Sequence, residues 1–226
     1  MNTLREPRLL PVVELLPFRF LDHLEPPKGP WSSEDEPFAY WKASLAASGF
    51  ESMEPIWPGS YLVPLEQVRG GSLDALIAYE LSRVDLEDEG LPLSLDGGYI
   101  LYDGPEIEAH PQCCANLKDL ADWLAVTDGT PFSDKTWIGI GHPGLAVTLQ
   151  GENLLFESGG PEEEHIDPFL CSVSSLRPQV SKAREAVLDF RRRLEQRALI
   201  SVGVRTPEFC DGMVGRLSEA HDDGWS

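Results

Sequence analysis

The chain has 226 residues, 42% hydrophobic and 25% charged, and its 38 acidic residues outnumber 18 basic ones for a formal charge of −20. Without a local basic patch, a surface of that sign is repelled by phosphate backbones and anionic membrane faces, so nucleic acid and membrane are disfavoured as partners and a basic protein or a cationic ligand is favoured, the alternative being that the charge serves solubility or a high-salt host. Near the start, the charge-free apolar stretch 9–13 is broken by Pro11 and falls short of a signal-peptide core or a membrane span.

A length of this order predicts one domain, large enough to bury a core without disulfides or metals. The four cysteines, Cys113, Cys114, Cys171 and Cys210, are few, and two of them are adjacent. That is a poor disulfide framework. It fits free thiols in a reducing compartment, hence a cytoplasmic location.

Residues 1–31 are rich in proline, with Pro26, Pro27 and Pro30 marking a turn or stiff connector. Leu9, Leu10, Val12, Val13, Leu15 and Leu16 can still supply an early strand or a docking arm. Ser32 or Ser33 caps a first helix whose opening turn holds Glu34, Asp35 and Glu36, where the helix dipole favours acids, and Gly49 ends it. The run WPGSYLVP at 57–64 reads as a turn followed by a short strand. Leu73, Leu76, Ile77, Glu80 and Leu81 repeat at helical spacing and predict a helix over 72–84, followed by a solvated acidic loop at 85–89.

GYILYD at 98–103 predicts a strand after the Asp96-Gly97-Gly98 turn, and a shorter strand follows at 107–109. Asn116, with Asp119 three residues on, has the form of a helix N-terminus for Leu117, Leu120, Ala121 and Leu124. Strands are then expected at 136–140, 145–149 and 154–157, the last two joined as a hairpin. A long helix is predicted over 178–199. Leu176, Val180, Ala183, Val187, Phe190 and Leu194 form one apolar stripe along it. After Arg205 the periodicity stops, and 206–226 reads as a mobile acidic tail. The expected fold is therefore α+β. A mainly antiparallel sheet with a meander or hairpin core is packed by several helices, including the long C-terminal one, in a single domain over 1–205.

Four side chains are candidates for chemistry: His110, Cys113, Cys114 and His142. Imidazole and thiolate are good zinc ligands, but adjacent cysteines diverge, and their spacing matches no standard zinc motif. Cys114 lies two residues before the expected helix cap, where a dipole lowers a thiol pKa, and His110 or His142 can serve as its base if the fold brings them together. This gives a thiol- or metal-dependent enzyme as the alternative to a binding protein. No catalytic or cofactor motif is complete, so the leading expectation has no cofactor and no catalytic residues. Gly139-Ile140-Gly141 leads into another strand rather than a helix, with Pro143 interrupting, so it is not a phosphate cradle. Gly139 is expected to allow a bulge or close backbone approach. The run Glu162-Glu163-Glu164 reads as a solvated face. Of the six tryptophans most should be core, with Trp123 and Trp137 packing beside the Cys–His region.

The long helix is basic where the rest is acidic: Lys182, Arg184, Arg191, Arg192, Arg193 and Arg197 face only Glu185, Asp189 and Glu195 within 181–197. The arginines are expected to pair with acids of the same fold. The other reading is a self-association surface over 178–199 that meets an acidic face of a second copy, making the chain a structural or accessory subunit.

The run Pro111-Gln112-Cys113-Cys114-Ala115-Asn116-Leu117, then Trp123, then Trp137-Ile138-Gly139 with His142-Pro143, resembles a pattern of small acidic bacterial proteins similar to the SMI1/KNR4-like (SUKH) immunity proteins. The likeness spans about residues 98–157, and Ile140-Gly141 stands where a tighter Gly-His is expected. It implies an α+β binding protein with no cofactor and no catalytic residues, one that neutralises a toxin partner.

Overall fold

The computed structural model describes residues 2–16, 35–82, 94–128, 135–141, 144–158, 166–203 and 206–215. These carry nine strands and five α-helices in an α+β arrangement with two mostly antiparallel sheets. The strands are β1 (Asn2–Thr3), β2 (Pro7–Glu14), β3 (Leu62–Pro64), β4 (Gly97–Asp103), β5 (Glu106–Ala109), β6 (Thr136–Ile138), β7 (Leu145–Gln150), β8 (Asn153–Ser158) and β9 (Phe169–Ser172). The helices are α1 (Asp35–Ala47), α2 (Gly70–Ser82), α3 (Leu120–Thr127), α4 (Val173–Val202) and α5 (Thr206–Val214). One sheet runs β1-β9-β8-β7-β6, the other β3-β2-β4-β5.

The expected hairpin forms as β7 and β8, which pair from Leu145↔Ser158 to Gln150↔Asn153 around Gly151-Glu152. β9 adds to β8, and β6 closes the far edge against β7. In the second sheet β2 is central, although it contains Pro11. The alternation of a strand explains why proline is tolerated there. Glu14 donates its N–H to Asp96 on the β4 side and Leu15 donates to Tyr61 on the β3 side. The nitrogen of residue 11 therefore faces β3, whose pairing stops at Val12↔Pro64, so no ladder bond is lost.

Helix α4 lies at the centre. Leu176, Val180, Ala183, Val187, Phe190 and Leu194 are all fully buried, and the helix packs on β2 of one sheet and β9 of the other, as well as on α2, α3 and α5. The stripe read from the sequence thus faces this chain's own core. A helix–helix seam with a second copy would have to use the other side of α4. The helix also begins earlier than residue 178. Proline is commonest in a helix's first turn, so the sequence suggests a start there. Instead Ser172 caps the helix, its Oγ accepting from Ser175 N at 3.1 Å, and Pro178 sits inside.

The tail expected after residue 205 is corrected by α5. Phe209, Cys210, Met213 and Val214 are buried in the main core, and Met213 O accepts from Leu95 N. Two buried pairs four residues apart are enough to dock a short helix, though too few to stand out as periodicity. The remaining tail, 216–226, lies outside the described residues, as do Pro26, Pro27 and Pro30 with the cap candidates Ser32 and Ser33, the acidic loop at 85–89 and the Glu162-Glu163-Glu164 run. On the far face of the second sheet, Val12, Leu62, Ile100 and Tyr102 form a small separate cluster covered in part by Ile56 and Trp57. Among the described residues no helix is long and apolar enough to cross a membrane.

Candidate functional site

His110, Cys113 and Cys114 sit where the two sheets meet. β5 ends at Ala109, and the chain passes through His110 and Pro111 into a turn carrying Cys113 and Cys114. Asn116 then starts a single 3-10 turn (Leu117–Asp119) that runs into α3. Asn116 caps it from both directions. Its Oδ1 accepts from Lys118 N at 3.0 Å, while its own N–H donates to Asp119 Oδ2 at 2.8 Å. This is the cap that the Asn116/Asp119 spacing predicts.

The stretch after β6 lies directly on this turn. Gln112 N donates to the Ile140 carbonyl. Gly141 has φ of 94°, and a β-carbon on it would stand 2.0 Å from the Cys113 carbonyl oxygen. Only glycine fits so close an approach in that backbone region. The fold therefore brings the neighbourhoods of Cys113 and of residue 142 together, while His142 itself lies outside the described residues.

His110 is half-buried. Its Nδ1 is 3.1 Å from the Pro111 carbonyl and 3.0 Å from Gln112 Nε2, and a neutral ring serves one of these at a time. Trp57 meets the ring edge-on at 5.3 Å, a neighbour that sequence distance conceals. Cys113 and Cys114 are both exposed, and neither is in a disulfide. Here the thiolate expectation is corrected. The neighbouring Cys113 thiol, first of all, raises the Cys114 pKa, with Asp96 adding to it in the same direction. Two adjacent thiols resist ionising together. Among the described residues no three His, Cys, Asp or Glu side chains gather at metal-binding spacing.

A pair of carboxylates, which sequence reading missed as a pair, occupies the same junction. Asp122 Oδ2 accepts from Gly139 N at 2.9 Å, and a β-carbon at Gly139 would come within 2.7 Å of Asp119 Oδ1. The close approach expected at Gly139 is thus made by side-chain carboxylates rather than by backbone. Their i,i+3 spacing on one helix face was the available signal. The Asp119 carboxyl is pushed up to about 6. Burial is the main cause, the Asn116 N–H opposes it and Asp122 adds to it. Its folded pKa thus exceeds its ordinary value, so its contribution to stability is complete below about pH 4 and is lost as pH rises through about 6. A shift of that size corresponds to roughly 3 kcal/mol, reduced to about 1 kcal/mol by the water that reaches the half-buried group. Asp119→Asn keeps an oxygen that can cap Asn116 N. We expect it to stabilise the protein by about that amount at pH 7.5 and by much less at pH 4.5, measured by urea denaturation at both.

Trp137 lies on the strand that leads into this junction. It is 52% exposed, because on edge strand β6 it alternates with Ile138, which takes the inward position. Trp123 is fully buried, its ring tilted against Phe156 at 6.2 Å, while Trp31 and Trp225 lie outside the described residues.

Four arginines of the basic helix lie against acids of the same chain. Arg191 bridges Glu195 at 2.9 Å and Asp211 of α5 at 2.8 Å. Arg193 holds Asp189 at 3.0 Å and donates to the Val68 carbonyl at 2.7 Å, and Arg197 reaches Asp74 of α2 at 3.3 Å. Arg192 also lies 3.7 Å from Asp189. Pairs this exposed add little stability, but they neutralise the cations locally. No family model, no curated protein and no solved structure matches the chain.

Proposed function

We propose that this chain is a non-catalytic, cytoplasmic binding protein whose acidic outer surface captures a basic protein partner. The residues that resemble SMI1/KNR4-like immunity proteins make a toxin the partner of choice. The observation that carries the reading is the disposition of charge. The arginines of α4 that would otherwise offer a basic stripe are turned onto Asp74, Asp189, Glu195 and Asp211 of the same chain. The formal charge of −20 is then expressed outward with little basic relief. Such a field speeds encounter with a cationic partner and rejects like-charged ones, while affinity rests on a few anchors that become buried. Trp137, exposed on an edge strand, has the size and position of an anchor.

The test is affinity capture from the source cell with the full chain as bait, at about 50 mM and about 500 mM salt, bracketing a several-fold change in screening. A basic protein should be retained at low salt and depleted as salt rises. A Trp137→Ala bait should retain less of it at both. If no partner is held at low salt, the reading fails.

A further inference from the structure

The four cysteines fall into two classes. Cys171 and Cys210 are buried, and burial pushes both thiols up to about 12. Cys113 and Cys114 are exposed, adjacent, and within hydrogen-bonding reach of each other. Cys114 has φ of 71°, and among the described residues it alone is a non-glycine with positive φ. Their turn is also a tertiary junction. Gln112 N donates to Ile140 on one side, Gly97 N donates to the Ala115 carbonyl on the other, and the Cys113 carbonyl is packed against Gly141.

We propose that Cys113 and Cys114 are a redox modification site. A small-molecule disulfide converts them into a disulfide between neighbouring residues, and closing that ring loosens the junction between the two sheets. The inference goes beyond the proposed function and does not depend on it.

The chemistry balances with glutathione disulfide as oxidant. One protein thiol gives up its proton and attacks a glutathione sulfur. The external S–S bond breaks, a protein–glutathione mixed disulfide forms, and the first glutathione leaves and takes up a proton. The second protein thiol loses its proton and attacks the protein-side sulfur, expelling the second glutathione. Two protein thiols are oxidised and one glutathione disulfide is reduced to two thiols. The second thiol is on the adjacent residue, so the second step is intramolecular.

The product is easily reversed. Consecutive Cα atoms are about 3.8 Å apart, whereas disulfides usually span about 4.4–6.8 Å, and a bond outside that range is strained and more reducible. Closing the ring must therefore rotate the backbone at 113 and 114. The Cys113 carbonyl is seated against Gly141, where a β-carbon would stand 2.0 Å away, so the rotation bears on the Gln112–Ile140 and Gly97–Ala115 hydrogen bonds that flank the turn. The buried cysteines keep their thiols protonated and enclosed, so they stay outside the exchange.

The full chain is incubated with glutathione disulfide, quenched by alkylation and mapped by mass. We expect the peptide holding 113 and 114 to be two hydrogens lighter and free of glutathione, and to revert with dithiothreitol. Cys113→Ser and Cys114→Ser should each retain a glutathione adduct on the remaining thiol. A persistent adduct on the wild-type turn, or two unreacted thiols there, overturns the proposal. Phenylarsine oxide, which condenses with two convergent thiols and releases water, gives an independent reading. It should bind the wild type at least about tenfold more tightly than either serine variant, because two linked contacts exceed one. Equal binding overturns the convergence of the thiols. Hydrogen exchange at Gln112 and Gly97 should be about tenfold faster in the oxidised form, and unchanged exchange overturns the effect on the junction.

Discussion

Gly97→Ala is expected to destabilise the protein by about 3–5 kcal/mol, a large part of what a domain of this size has. Gly97 begins β4 opposite Val13, with φ of 138°, a region that side-chain-bearing residues rarely enter. That conformation alone costs an alanine roughly 1–3 kcal/mol. A β-carbon would also stand 2.2 Å from the Val12 carbonyl oxygen and 2.7 Å from Val13 Cα. Both are backbone atoms of the central strand and cannot rotate aside, so an overpacking penalty of about 1–3 kcal/mol is added. Gly151→Ala is the control. It shares a positive φ, 65°, but meets nothing within 4 Å, so only a backbone cost of about 1–2 kcal/mol is expected. Urea midpoints of the two variants separate the steric cost from the conformational one. Equal losses would show that β2 yields.

Phe190→Ala should cost about 3–5 kcal/mol, as large aromatic truncations in closed cores do. Phe190 is fully buried midway along α4, where the helix is enclosed by β2, β9 and its neighbouring helices. Ile200 lies on the same helix but is 90% exposed, and Ile200→Ala should stay within about 0.5 kcal/mol of the wild type. Denaturation of both tests the orientation of α4 directly. If Phe190→Ala were as mild as Ile200→Ala, the stripe would not face the core.

Much of this architecture was legible because its signals are local. The β7–β8 hairpin follows from two alternating strands around Gly151, and the Asn116 cap follows from the acid three residues on. The stripe of α4 holds its spacing over enough turns to set its buried face. Elsewhere the deciding facts were tertiary. Pro11 hides the central strand of a sheet, and it is harmless only because β3 is short. Pro178 hides the true start of α4, which Ser172 supplies. The opening Thr206-Pro207-Glu208 of α5 carried a helix-start signal that outweighs the absence of a long period.

The candidate site shows the same division. Residue types alone named His110, Cys113, Cys114 and His142. That 112–113 and 139–141 touch, that Asp119 and Asp122 close on Gly139, and that Trp57 covers His110 are contacts between segments distant in sequence. Trp137 holds an outward place in an alternating edge strand, which its residue type does not reveal.

The path of the first strands bears on how the chain reaches this state. β1 lies beside β9 in one sheet, with Asn2 opposite Phe169, while β2 is central in the other. Between them, Arg5 N and Glu6 N are both tied to Asp103 Oδ1 at 2.9 and 2.7 Å. During synthesis β1 and β2 leave the ribosome long before β4 and β9 exist to receive them. The second sheet has no centre until residue 103 is made, and β1 finds no partner in the first sheet until about residue 172. The pairing that closes the molecule is thus among the most distant in the chain, which makes its folding slow and confines completion to after the start of α4 has emerged.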